Sequence, residues 1–260
     1  MNSLLKNLDV LMNRKSVRAY SDKKISEEIK NAIIESTLRA PTAGNMMMYS
    51  IIEVTDESLK NRLVETCDNQ PMIGKAPYLL LFLADFQKWM DYLKVSGIDE
   101  YNKENNIDMY HPGEGDLLLA INDALIAAQT AVTSAEMLGV GSCYIGDIME
   151  NFEIHKEMFN LPKYTFPVTL ICFGYPTEQQ KNRPQPPRYP KEMIVFENSY
   201  RHIESDEFKS MEIERNKISK PNFLPGCHNE AIHMYKRKIT SSFMKEMNRS
   251  VKAAIDSWTK

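Results

Sequence analysis

Apolar residues recur at helical spacing from Leu4 to Met12, which predicts a short amphipathic helix leading into a basic cluster at residues 14–18. Ser26 stands as an N-cap ahead of Glu27 and Glu28, acids that suit the positive end of a helix running to about Arg39, where Pro41 and Gly44 stop it. Ser50 to Val54 reads as a strand, Glu57 to Thr66 as a helix, and the dense apolar run Tyr78 to Ala84 as a short buried strand. From Asp85 to Gly115 the pattern loosens around Trp89, Tyr92, Tyr101 and Tyr110, so this segment is expected to be an excursion over the core.

The longest regular element is a helix from Leu117 to Leu138, in which Ala120, Ala124, Ala127, Ala128, Ala131 and Ala135 recur at close-packing intervals. Gly139 and Gly141 end it. A strand at Ser142–Ile145, a helix at Glu150–Phe159 and an apolar strand at Pro167–Phe173 follow. Residues Thr177 to Pro190 are proline-rich and expected to be extended rather than helical, Ile194–Phe196 resumes a strand, and Ser242–Trp258 is a last helix-like stretch. No clear parallel βαβ run emerges, which favours an α+β fold over a doubly wound one. We expect one domain over residues 1–203 and a helical C-terminal extension over 204–260.

Composition narrows the function classes. A net charge of −3 argues against a nucleic-acid partner, which would call for a basic face. Cys67, Cys143, Cys172 and Cys227 are scattered singly, as reduced thiols are, and the N-terminal residues lack the apolar run of a signal peptide or membrane span. A cytoplasmic protein with no membrane partner is expected. Cys227-His228 with His233 lacks the paired spacing of a zinc site, so no metal is assigned. The chain offers no convincing catalytic triad and no G-x-G-x-x-G fingerprint after a strand.

Against this background Arg14-Lys15-Ser16-Val17-Arg18 has the chemistry of a phosphate grip: forked guanidinium groups, a mobile ammonium and a hydroxyl donor. Alone, a short basic run is more often solvated surface. It is accompanied, in order, by Ala40-Pro41-Thr42-Ala43-Gly44-Asn45 with Tyr49, the Ala-rich helix ending in Leu138-Gly139-Val140-Gly141, Tyr144-Ile145-Gly146-Asp147, and Phe173-Gly174-Tyr175-Pro176 with basic residues beyond. With these five pieces the chain resembles the FMN-dependent nitroreductase family, particularly its larger NADPH-dependent branch, over about residues 10 to 200.

The resemblance implies an α+β homodimer, intertwined, with a central mainly antiparallel sheet and two FMN sites at the subunit interface. It places the FMN phosphate on Arg14, Lys15, Ser16 and Arg18, with Lys181 and Arg183 as further cations and Arg188 in reserve. The flavin ring falls to Pro41, Thr42, Ala43 and Asn45, and to Tyr144, Ile145 and Gly146. Met47 stands where relatives commonly carry Gln, and a thioether does not replace an amide's two-sided hydrogen bonding. The Ala-rich helix would pack on the partner, and Ile194–Tyr200 would extend the partner's sheet. The implied reaction is ping-pong, from NADPH or NADH through FMN to a nitroaromatic, quinone or flavin acceptor, with Phe86–Gly115 as a lid and no protein nucleophile, because the cofactor carries the chemistry. An FMN storage or sensing protein is the alternative.

Overall fold

The structure is a computed structural model that describes residues 8–219 and 222–260. The chain forms two compact units, one of residues up to Asn182 together with Glu246–Lys260, the other Arg183–Lys245. In chain order the elements are α1 (Asp9–Asn13), α2 (Glu27–Thr37), β1 (Tyr49–Glu53), α3 (Glu57–Thr66), α4 (Pro71–Lys75), β2 (Tyr78–Asp85), α5 (Gln87–Val95), α6 (Ile98–Asn105) and α7 (Glu114–Met137). Then come β3 (Gly141–Ile145), α8 (Phe152–Met158), β4 (Thr165–Gly174), α9 (Glu178–Lys181), α10 (Ser205–Ser219), α11 (Glu230–Met234) and α12 (Ser242–Thr259).

The first unit is built on a four-stranded sheet in the order β1-β2-β4-β3, every neighbouring pair antiparallel. Strand β2 is buried throughout and apolar from Tyr78 to Ala84, because both of its faces are covered. Leu80, Phe82 and Ala84 join a core with α2, α7 and α12, while Leu79, Leu81 and Leu83 join a second core with Leu63, Ile73, Cys143 and Cys172. Sequence and register agree with the α+β expectation. Ser26 caps α2, accepting from the Ile29 amide at 3.3 Å, and α3 spans the expected residues.

Several elements differ from expectation for identifiable reasons. The part of the first expected helix at Leu4–Asn7 lies outside the described residues, and α1 covers only its end. The segment after Asp85 holds two helices: Trp89 and Met90 pack on the first core, and Gly97 and Asn106, both at positive φ, punctuate the chain. Thr177 caps the single turn of α9 before the prolines begin, so residues 177–190 are not wholly extended. No strand forms at Ile194–Phe196, where a 3₁₀ turn over Lys191–Met193 precedes exposed Ile194 and Val195; no described strand of this second unit is there to pair with them.

The alanine stripe of α7 also differs. All six alanines are fully buried within this chain, and the exposed large apolar residues of α7 are Leu118, Leu119, Leu125, Ile126 and Met137. Small residues let α7 lie close to the sheet and to α2, which is why this long apolar helix is a core element. The compact units likewise do not coincide with a boundary at 203. The last helix returns to the first unit: Trp258 is 1% exposed and meets Tyr164 edge-on at 5.7 Å, and the Ser250 hydroxyl donates to Met149 O at 2.7 Å. Burying an indole of this size is worth on the order of 2–3 kcal/mol, enough to anchor a terminal helix.

Candidate functional site

The basic loop leaves α1 in extended form and is laid along β3, where the Val17 amide donates to Ser142 O at 2.9 Å. The Val17 side chain occupies the space that a Cβ on Gly141 would need, so this glycine is required by packing. Gln180 of α9, 7% exposed, reaches back to the loop: its Oε1 accepts from the Arg18 amide at 3.2 Å and its Nε2 donates to Ser16 O at 3.4 Å. Lys15 Nζ donates to Lys181 O. The pairing continues through a Tyr20–Pro176 bridge, with Ser21 N on Tyr175 O at 2.8 Å and Thr177 N on Ala19 O at 3.1 Å.

These contacts bring Arg14, Lys15, Ser16, Arg18 and Lys181 into one neighbourhood. Arg183 and Arg188 belong to the second unit. Beside Arg18, residues Asn69, Gln70, Pro71, Met72 and Lys75 line a shallow cavity of about 410 Å³. Sequence reasoning missed Gln70 and Lys75, although Pro71 opening a short helix with a cation in its last turn was a legible signal. Gln70 Nε2 donates to Asp147 Oδ2 at 2.9 Å, which ties this wall to the residues after β3.

Electrostatics at this end are mixed. Burial raises the Glu136 carboxyl above its ordinary value, against the pull of Arg14 and of Ser142. Burial also raises the Cys143 thiol, with Arg18 acting against it, and pushes Tyr144 up to about 12. The Tyr144 hydroxyl donates to Gln129 Oε1 at 3.2 Å. Ile145 points into the second core, so only its main chain can face a ligand. No protein atom lies within 4 Å of where a Cβ on Gly146 would stand, and its φ is not positive, so nothing inside the chain demands glycine there.

The turn after α2 is built differently. Gly44, Asn45 and Met47 all have positive φ, at 56°, 57° and 50°. Only the first is a glycine; a left-handed Met costs about 1–2 kcal/mol and persists only where its surroundings impose it. The agent is Asp123 of α7, 2% exposed. It accepts from the Thr42 hydroxyl, from the Ala43 amide at 2.9 Å and from the Met48 amide at 3.1 Å, while Thr42 Oγ1 accepts from the Met47 amide at 2.8 Å. From the outer side Trp89 Nε1 donates to Met46 O at 2.8 Å, and Lys88 Nζ to Tyr49 O at 2.6 Å. Pro41 and Asn45 are exposed, and Met47 packs partly on the first core. Asp123 was not foreseen, yet a carboxylate that with Asn122 interrupts the apolar run from Leu117 to Ala128 was a signal of it.

Asp123, behind the turn, and Glu136, beside the basic loop, thus stand on one helix about 20 Å apart along its axis at 1.5 Å per residue. Comparison with known proteins adds the family context. The family model described as the nitroreductase family matches residues 11–175. An FMN reductase [NAD(P)H] of Bacillus subtilis (strain 168) is 32% identical over 210 residues, covering 81% of this chain and 78% of the relative. A Cr(VI) reductase of Pseudomonas sp. (strain G-1) is 29% identical and covers 97% and 88%. A solved structure from Bacteroides fragilis superposes with a TM-score of 0.82 at 28% identity, covering 97% of this chain and all of the other.

Proposed function

The chain belongs to the nitroreductase family, and from that premise we propose that it is an FMN-dependent NAD(P)H oxidoreductase acting on small-molecule acceptors such as nitroaromatics, quinones or flavins. The observation that carries this reading is the anchored basic loop. Its main-chain groups at Val17 and Arg18 are taken up by Ser142 and Gln180, which fixes the backbone that carries Arg14, Ser16 and Arg18, while Lys15 reaches Lys181 O and Lys75 lines the cavity beside Arg18.

A donor set of guanidinium, ammonium and hydroxyl groups suits a phosphate monoester dianion, so these residues fit the phosphate end of FMN. Open space over Gly146 suits the close approach of a planar ring to the main chain, and Asn45 offers both donor and acceptor to its polar edge. Held by these residues, FMN would supply the redox chemistry, hydride uptake from NAD(P)H and electron delivery to the acceptor in a ping-pong sequence. The protein's part is to hold the phosphate, shape the ring's surroundings and admit donor and acceptor in turn.

The protein works as a homodimer. Exposed Leu118, Leu125 and Ile126 on α7, beside the wholly buried alanine stripe, offer an apolar contact for a second copy. The separation of the basic loop from the Asp123 turn supports a site completed by two subunits. Lys181 adds positive charge at the phosphate, residues 86–115 shape acceptor access, and the protein resides in the cytoplasm.

Anaerobic mixing of the purified, FMN-loaded protein with NADPH and with NADH tests the reading. Rapid bleaching of the oxidised flavin's visible band, followed by recovery on adding a nitroaromatic or quinone, is the expected result. Bound flavin that neither nucleotide reduces would favour a storage or sensing protein, and protein that takes up no FMN would refute the assignment.

A further inference from the structure

We propose that Asp123 is the positioning residue of the flavin-facing turn, holding the main chain of residues 42–48 so that Asn45 and the Met47 peptide are presented to the ring. The inference rests on the flavoenzyme reading above.

Three features set this carboxylate apart from ordinary core packing. It lies on a face of α7 otherwise lined by buried alanines, where Ala or Leu would pack without a polar group to satisfy. Among the described residues no cation pairs with it, and its hydrogen bonds all go to one short turn, at Thr42, Ala43 and Met48. That turn also contains two non-glycine residues at positive φ, Asn45 and Met47, and for Met, unlike Asn, this conformation needs an outside constraint. Trp89 and Lys88 fix its outer carbonyls, whereas Asp123 fixes its inner amides, and the exposed face between them is left to a ligand.

A buried negative charge behind this turn has an electronic consequence as well. It already acts on its surroundings: the Tyr49 hydroxyl is raised first by burial and then by Asp123. Near a flavin the same charge disfavours the electron-rich reduced form, so neutralising it should make the flavin easier to reduce.

The test compares Asp123→Asn with wild type as full-length, FMN-loaded protein, and also measures hydrogen exchange without flavin. Asn keeps the size and one acceptor oxygen but turns an NH₂ toward donors that need an acceptor. Exchange of the peptide covering residues 42–48 is expected to accelerate about tenfold or more, with the β2 peptide unchanged. The flavin's midpoint potential should shift positive, its visible circular dichroism should change, and kcat for the acceptor should fall more than KM alters. Thr42→Val removes one support while leaving the charge, and should loosen the turn and alter the dichroism with a smaller potential shift.

Faster exchange with potential and dichroism both at wild-type values would make Asp123 structural only and overturn the proposal. Should Asp123→Asn fail to fold, wild-type dichroism in Thr42→Val would do the same. A wild-type protein that binds no flavin would overturn the underlying reading, an outcome seen before any variant is compared.

Discussion

In the loop of residues 14–18 the main chain is engaged by the sheet and by Gln180, leaving the side chains to do the chemistry. In the turn of residues 42–48 the order is reversed: side chains from Asp123, Thr42, Trp89 and Lys88 hold the main chain, and under the proposed function the main chain is what a ligand would meet. The first design suits a dianion, which is bound through charge and tolerates some play in its partners. The second suits a planar ring whose edge and potential depend on where each peptide group stands. Side-chain substitutions should therefore strip the first half of its function without disturbing it, whereas the second half should respond to whatever moves its backbone.

The strongest expected effect follows from removing the charges. Replacing Arg14 and Arg18 together with Ala should weaken FMN binding at least a hundredfold, since a hydrogen bond to a charged group is worth about 1.5–3 kcal/mol and two are lost. The fold should survive, because the loop's anchors are the Val17 amide and side chain and the Gln180 carboxamide. Equilibrium dialysis against FMN and a thermal melt check both parts. Normal affinity would return the cluster to the solvated surface.

A pair of glycines separates the anchoring of the loop from ligand contact. Gly141→Ala would place a Cβ against the Val17 side chain, 3.0 Å from its Cβ and 3.3 Å from Gly174 O, and overpacking of this kind costs about 1–3 kcal/mol. Gly146→Ala meets no protein atom within 4 Å and should leave stability within about 0.5 kcal/mol of wild type. Only the second should weaken flavin about tenfold without lowering the melting temperature, because under the proposed function the added methyl would meet the ligand rather than the protein. Equal affinities for Gly146→Ala and wild type would remove Gly146 from the site.

Much of this frame was legible in the sequence because each element carries its own local signal. Ser26 with Glu27 and Glu28, the apolar run of β2 and the Gly139 stop of α7 each act within a few residues, and each is found where pattern and capping chemistry put it. What the pattern could not supply is direction. The alanines of α7 announced close packing but not whether the neighbour was this chain or another, and the sheet turned out to claim them. The same holds at the site: the basic cluster and the Pro41–Asn45 turn were visible as composition, whereas Asp123, Gln70 and Gln180 act across some 75 to 165 residues of sequence and become readable only when the fold brings them home. Trp89 sits in a stretch whose pattern reads as a loose excursion, since its bond to Met46 O is also non-local.

The last contrast concerns the two carboxylates that α7 lends to the two halves. Asp123 receives three hydrogen bonds and organises its turn, whereas Glu136 is half-buried beside Arg14 with Ser142 as a weak donor at 3.4 Å, and burial raises its pKa. A carboxyl whose pKa is raised on folding takes up a proton more readily in the folded than in the unfolded chain. Its contribution to stability is thus greatest below the unfolded value, near 4.3, and is lost as pH rises through the folded value. Glu136→Gln, which stays neutral, should match wild type near pH 4 and become the more stable protein toward pH 7, by on the order of 2 °C in melting temperature. It should also bind FMN a few-fold more tightly near neutral pH, because Arg14 no longer shares its charge with a competing anion and the phosphate no longer faces one. Asp123→Asn should move affinity in the opposite direction. If both amides weaken FMN binding, Glu136 orients Arg14 for the phosphate instead of competing for it, and the basic half of the site is as dependent on a supporting carboxylate as the turn is.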